Sequence, residues 1–223
     1  MIYPSIRLIA LLALCAAFAG CATAPQPFDY SHFKQSAPKS ILVLPPISDS
    51  PDVNASNAVL STATAPLAEA GYYVPPASLV VETFRENGLS VANDIHNVSP
   101  PKLKEIFGTD AAAYIRITQY GTSYAVISSE TRVTIEGKLI DLNSGKEIWA
   151  GKATASSKES EGASQGGIAG LLIKALVEQV VGTLADLGYD YSRIANARLF
   201  NSKAVNGILP GPRSTDGGKK PAN

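Results

Sequence analysis

Cysteine, histidine, methionine and tryptophan are almost missing from this 223-residue chain, which holds two, two, one and one of them. So few soft or imidazole ligands leave no zinc or iron–sulfur spacing to read, and Cys15 and Cys21 form no such pattern. No metal and no cofactor is expected. A surplus of either charge is also lacking, with nineteen basic against nineteen acidic residues. Without a long-range positive field, nucleic-acid binding is excluded as a leading function. Apolar runs long enough to span a bilayer, about 20 residues, are absent too. What remains is 45% hydrophobic and 17% charged. That is the composition of a foldable chain large enough for a good core.

The first twenty-one residues address the compartment. Arg7 precedes an apolar run of eleven residues, Leu8 to Phe18, which ends at the small residues Ala19 and Gly20. This is a secretory signal, too short for a permanent membrane anchor. Phe18-Ala19-Gly20-Cys21 is similar to the lipobox of bacterial lipoproteins, with Phe18 departing from the usual leucine. Cys21 is the expected lipid attachment site; Cys15 competes less well because the bulky Leu14 precedes it. The alternative is plain secretory cleavage that leaves Cys21 an ordinary thiol. Removal of residues 1–20 as signal peptide leaves 203 residues with one cysteine, so no intrachain disulfide can form. Ala22, rather than aspartate, after the cysteine favours the periplasmic face of the outer membrane by resemblance to sorted lipoproteins.

Residues 21–39 carry Pro25, Pro27 and Pro38 without apolar periodicity and read as a lipid-anchored tether. The span from Cys21 to Ile41 could reach about 66 Å if extended. Residues 40–190 read as one mixed α/β domain. Ser40 to Pro46 is a buried strand closed by two prolines, and Tyr72 to Pro76 repeats that pattern. Helices are expected over 52–70, kinked or restarted at Pro66, then over 79–86, 101–107 and 168–187. Between residues 112 and 155 apolar and polar residues alternate, and Asn143-Ser144-Gly145-Lys146 makes a tight turn, which predicts an antiparallel meander with one wet face. Residues 191–223 read as a tail, disordered from about 201, where four glycines and three prolines cluster.

Candidate chemistry is sparse. His32 falls in the tether and His96 in an Asn-rich loop, both expected to be solvated, and no nucleophile–base order exists. Gly166-Gly167-Ile168-Ala169-Gly170 lacks the lysine of a phosphate loop and reads as a hinge. The protein is therefore expected not to be an enzyme. Pro45, Pro46, Tyr72, Tyr73 and Pro75 would emerge at one sheet end if their strands are parallel, and they form the candidate partner-binding edge. Ile173, Val177 and Val181 widen the apolar stripe of the last long helix and are the candidate homo-oligomer contact.

Several stretches carry a resemblance: Leu44-Pro45-Pro46, Ser50 to Ser56, Pro66 to Pro75, Asn87-Gly88-Leu89 and Asp141 to Trp149. They resemble an outer-membrane lipoprotein family once catalogued only as a domain of unknown function, which includes a genome-derived surface antigen lipoprotein. The resemblance spans Cys21 to about Tyr191. It implies a fold like the TolB N-terminal domain, the periplasmic part of CsgG and LpoB, a mixed sheet flanked by helices. It also implies CsgG-like or other envelope lipoproteins as partners. The first functional expectation is thus a non-enzymatic, lipid-anchored accessory component of a curli-type secretion or envelope assembly complex. The alternatives are an activator of a peptidoglycan synthase, for which a longer tether would be needed, and an envelope enzyme with a cryptic site.

Overall fold

The computed structural model describes residues 27–124, 129–159 and 187–214. Its elements run α1 (Ser31–Ser36), β1 (Ile41–Val43), β2 (Ile47–Ser48), α2 (Ala55–Glu69), α3 (Ala77–Glu86), α4 (Ala92–His96), α5 (Pro100–Phe107), β3 (Ala111–Tyr124), β4 (Ser129–Asp141), β5 (Glu147–Ser156) and α6 (Leu187–Leu199). They form a single mixed sheet flanked by helices. In it β1 and β2 both lie parallel to β3, and β3, β4 and β5 follow as an antiparallel meander.

The prolines after β1 do not end its path through the sheet, contrary to the expectation that the strand leaves there. Val43 pairs with Ala113 and Ile47 with Arg116, so the edge spends four steps where β3 spends three. Pro45 and Pro46 have no N–H for the ladder, and the extra residue forms a bulge from which the chain resumes as β2. Pro66 likewise interrupts nothing. It lies near the end of α2, which is one continuous helix. The Tyr72–Pro76 strand reduces to one parallel bridge between Ser40 and Tyr73.

Alternation along the strands sorts side chains to two faces. Ile41, Val43, Ile115, Ile117, Val133, Ile135, Leu139 and Trp149 point toward α2 and α6 and form the larger core. A Cβ on Gly137 would lie 2.8 Å from Leu199 Cδ2, and one on Gly151 would lie 2.6 Å from Trp149. These two bare positions let α6 settle directly on the sheet. On the other face Leu42, Leu44, Ala112 and Leu142 pack against Val80, Phe84, Ile95 and Leu103 of α3, α4 and α5. Each such side chain contributes about 1.5–3 kcal/mol on burial. That second layer covers only part of its face. Arg116, Lys138 and Lys152 remain exposed beyond it.

Both ends of the domain extend past the expected limits of 40 and 190. Phe33 is buried and Phe28 and Tyr30 pack against the core, so residues 28–39 are domain rather than tether. The Phe28 N–H donates to Asn206 Oδ1 at 2.9 Å, and Ser36 Oγ donates to Asp141 Oδ1 at 2.8 Å. Burial pushes the Asp141 carboxyl up, but hydrogen bonds from Ser144, Ser36 and Asn143 outweigh it and hold the group below its ordinary value.

Residues 200–214 are not a disordered tail. Phe200 and Ile208 are 1% exposed, Trp149 Nε1–H donates to the Asn206 carbonyl at 3.0 Å, and the Tyr72 hydroxyl donates to the Leu209 carbonyl. The Gly211 N–H donates to the Ala70 carbonyl at 2.7 Å. Gly71 has φ +96°, and a Cβ there would meet Ser214 N at 2.2 Å, so glycine permits both the turn and the approach. The expected helix over 168–187, its glycine-rich start and the candidate contact Ile173, Val177 and Val181 lie outside the described residues, apart from Leu187.

Candidate protein-binding site

The bulge between β1 and β2 makes a ridge with a cavity on each side, and Ile47 lines both. One cavity, about 440 Å³, lies between the ridge and α2, α3 and α4, where Pro45, Pro46, Leu60, Val81, Leu89 and Val91 supply apolar walls. Val81 and Val91 are 40% and 54% exposed. The other, about 690 Å³, lies over the uncovered part of the sheet between Tyr114, Arg116, Glu136, Lys138, Ala150 and Lys152.

His96 ties the ridge to the second cavity. Its Nε2 lies 2.9 Å from the Pro45 carbonyl oxygen, which can only accept, so Nε2 carries the proton and donates. Its ring meets Tyr114 edge-on at 5.1 Å, and Lys138 Nζ lies 5.7 Å from the centre of the same tyrosine ring. Burial, followed by the charges of Lys138 and Arg116, lowers the His96 pKa, although the Pro45 carbonyl acts in the opposite direction. His96 is therefore half-buried, neutral and structural rather than solvated. Because its folded pKa lies below the unfolded value, the unfolded chain binds the proton first as pH falls. Wild-type stability is expected to decline as pH drops below about 6.5. The decline levels off beneath the folded pKa. His96→Gln should lose this component, which urea titrations at a series of pH values would show.

The remaining charges are balanced and wet. Lys152 Nζ lies 2.8 Å from Glu136 Oε1 and Arg116 Nη1 lies 2.5 Å from Asp49 Oδ1, with all four side chains close to half exposed. Such pairs contribute about 0–1 kcal/mol each. Among the described residues no group of three or more His, Cys, Asp or Glu could hold a metal ion. Around the Pro45–Ile47 ridge, apolar walls on one side thus meet a charged trough on the other.

The five residues expected at one sheet end do not assemble. Pro45 and Pro46 follow the end of β1 and line the first cavity. Tyr73 pairs at the beginning of β1, where its N–H donates to Lys39 and its carbonyl accepts from Ile41. Tyr72 and Pro75 are buried, and Tyr73 lies half exposed with the Arg213 guanidinium 5.7 Å from its ring centre. The tyrosines serve to seat the C-terminal segment. Ile47, Val81, Val91 and Tyr114 escaped the sequence reading, and His96 was read there as solvated. For Tyr114 and Arg116 the signal was present, as polar positions alternating with Ala113, Ile115 and Ile117.

An α/β domain of this kind has known relatives. The chain belongs to the family described as "Putative lipoprotein GNA1162-like", which it matches over residues 28–213. These limits coincide with the onset and end of the packing described above. It is 48% identical over 207 residues to "Putative lipoprotein NMB1124/NMB1162" of Neisseria meningitidis serogroup B, covering 92% of this chain and 95% of that one. The crystal structure of lipoprotein GNA1162 from N. meningitidis matches with a TM-score of 0.53 and 47% identity, covering 66% of this chain and all of that one. The C-terminal domain of LpoB from Escherichia coli matches more remotely, at 15% identity and a TM-score of 0.37 over 64% of this chain and 93% of that domain, and carries no functional argument.

Proposed function

We propose that this chain is a non-enzymatic lipoprotein anchored through acylated Cys21 to the periplasmic face of the outer membrane, where it acts as an accessory component of a curli-type secretion or envelope assembly complex. The observation that carries this reading is the position of the first packed residues. Phe28 is already hydrogen-bonded into the domain, so only seven steps separate it from Cys21. At about 3.3 Å per residue they reach about 23 Å, against about 66 Å for a tether to residue 41. A domain held that close to its lipid meets partners at the membrane surface. Activation of a synthase across the cell wall would need the longer reach.

Contact is assigned to the Pro45–Ile47 ridge and the flanking Val81 and Val91. A photo-crosslinking residue replacing Val81, in cells that keep their outer membrane intact, should trap another envelope lipoprotein of CsgG-like type. The same residue replacing exposed Arg193 on α6 should not. Val81→Glu with Val91→Glu should lower recovery on the order of tenfold or more, equivalent to about 1.4 kcal/mol or more. Equal trapping from both positions would contradict the assignment, and trapping of a peptidoglycan synthase would favour the alternative.

A further inference from the structure

The bulge that makes the ridge also turns main-chain groups outward. In β1 the Leu44 N–H donates to the Ala113 carbonyl, so the even-numbered residues there bond to β3. Past Pro45 and Pro46 the phase is reversed: Ile47 pairs with Arg116, and the Asp49 N–H donates to the Ile117 carbonyl. Successive residues of a strand direct their main-chain groups to opposite edges. Ser48 therefore turns its N–H and C=O away from β3, and it lines the first cavity. Among the described residues neither of these two groups has a hydrogen-bond partner.

Two side chains fix the edge in this form. Ser56 Oγ of α2 donates to the Pro46 carbonyl at 2.8 Å, and His96 Nε2 of α4 donates to the Pro45 carbonyl at 2.9 Å. The prolines bring no N–H and their carbonyls are taken, so the ridge is closed to strand pairing as far as Ser48. The open groups of Ser48 share the cavity with Leu60, Val81, Leu89 and Val91. Arg85 is the one charged residue lining it, and Glu82 holds that guanidinium at 2.6 Å.

We infer that the edge at Ser48 takes up an extended, uncharged apolar segment of a partner protein, which adds to β2 through main-chain hydrogen bonds and seats an apolar side chain in the cavity. This deepens the reading of the ridge as the contact surface and rests on it. A cavity whose one cation is already paired has a neutral segment as its charge complement. An extended segment brings the acceptor and the donor that Ser48 lacks. A helix has its main chain bonded internally and would cover the Ser48 groups without pairing them, which is costly. A second copy of this chain fits no better, because its β2 is two residues long and begins at the same proline block.

The test places the photo-crosslinking residue at Val81 of the full chain in intact cells and adds Ser48→Pro or Ser48→Ala. Both substitutions remove the hydroxyl, but only proline removes the N–H, and that N–H points away from β3, where an edge strand accepts proline. Trapping is expected to fall about tenfold or more with Ser48→Pro and to stay within about twofold with Ser48→Ala. Hydrogen exchange supplies a second measurement: in the trapped wild-type complex the Ser48 amide should exchange about tenfold or more slowly than in the free chain. Sequencing of the cross-linked peptide should give an uncharged apolar stretch of another protein. Equal trapping by the two folded variants, or an unchanged Ser48 amide, overturns the strand addition while leaving the ridge as a contact surface. If Ser48→Pro does not fold by circular dichroism, the exchange measurement decides alone. A cross-linked peptide that is charged, or that comes from this chain, overturns the occupant. Equal trapping from Val81 and Arg193 overturns the ridge assignment and this inference with it.

Discussion

Ending the chain at Leu199 is expected to abolish cooperative folding. The deletion removes Phe200 and Ile208, both 1% exposed, and loss of such side chains costs about 2–5 kcal/mol each. It also strips the indole N–H of Trp149 and the hydroxyl of Tyr72 of their acceptors, Asn206 and Leu209. A buried polar group left without a partner costs about 1–3 kcal/mol. Together these losses match the whole stability of a typical domain, about 5–15 kcal/mol. Phe200→Ala, which removes only the ring 6.2 Å from Trp149, should remain folded but less stable by about 3–5 kcal/mol. Urea unfolding of the two variants followed by circular dichroism would distinguish them. A chain ending at Leu199 that melts like wild type would show that residues 200–214 contribute nothing.

Cys21→Ser should abolish acylation and leave the protein as uncleaved precursor, absent from the outer membrane. In the proposed maturation the thiol receives diacylglycerol before the signal is removed, and serine cannot form the thioether. A single acyl chain holds a protein to a membrane only marginally, and each further chain adds about 0.8 kcal/mol per buried CH₂, so a fully acylated cysteine makes a lasting anchor. Among the described residues no helix is long and apolar enough to cross a membrane and replace it. The effect is therefore expected to be nearly complete, rather than the partial shift that follows loss of a surface contact. Fractionation of wild-type and Cys21→Ser cells with an antibody to the domain would measure it.

Much of the sheet was legible because strand alternation is a periodic signal. Val133, Ile135 and Leu139 against Arg132, Glu136 and Lys138 announce both β4 and the face it buries. The two terminal segments were not legible for the opposite reason. Residues 28–39 and 200–214 hold single large side chains, Phe33, Phe200 and Ile208, set among prolines, glycines and polar residues. Each is ordered by a cleft that other elements build, and a local window contains no trace of that cleft. Tyr72 and Tyr73 were singled out as exposed recognition residues when they seat one of those segments. Pro45 and Pro46 were read as closing a strand and opening a partner-binding edge shared with the tyrosines. They bulge an edge strand that continues, and His96 fixes the bulge from a helix too short to declare itself by periodicity.

The central claim is that this domain works at a membrane through a lipid on Cys21, and intact mass measurement of the mature protein extracted from membranes tests it most directly. The predicted species starts at Cys21 and carries the mass of a diacylglyceryl group on sulfur plus an acyl chain on the new α-amine. A mature chain that begins elsewhere, or begins at Cys21 with a free thiol, would contradict the account.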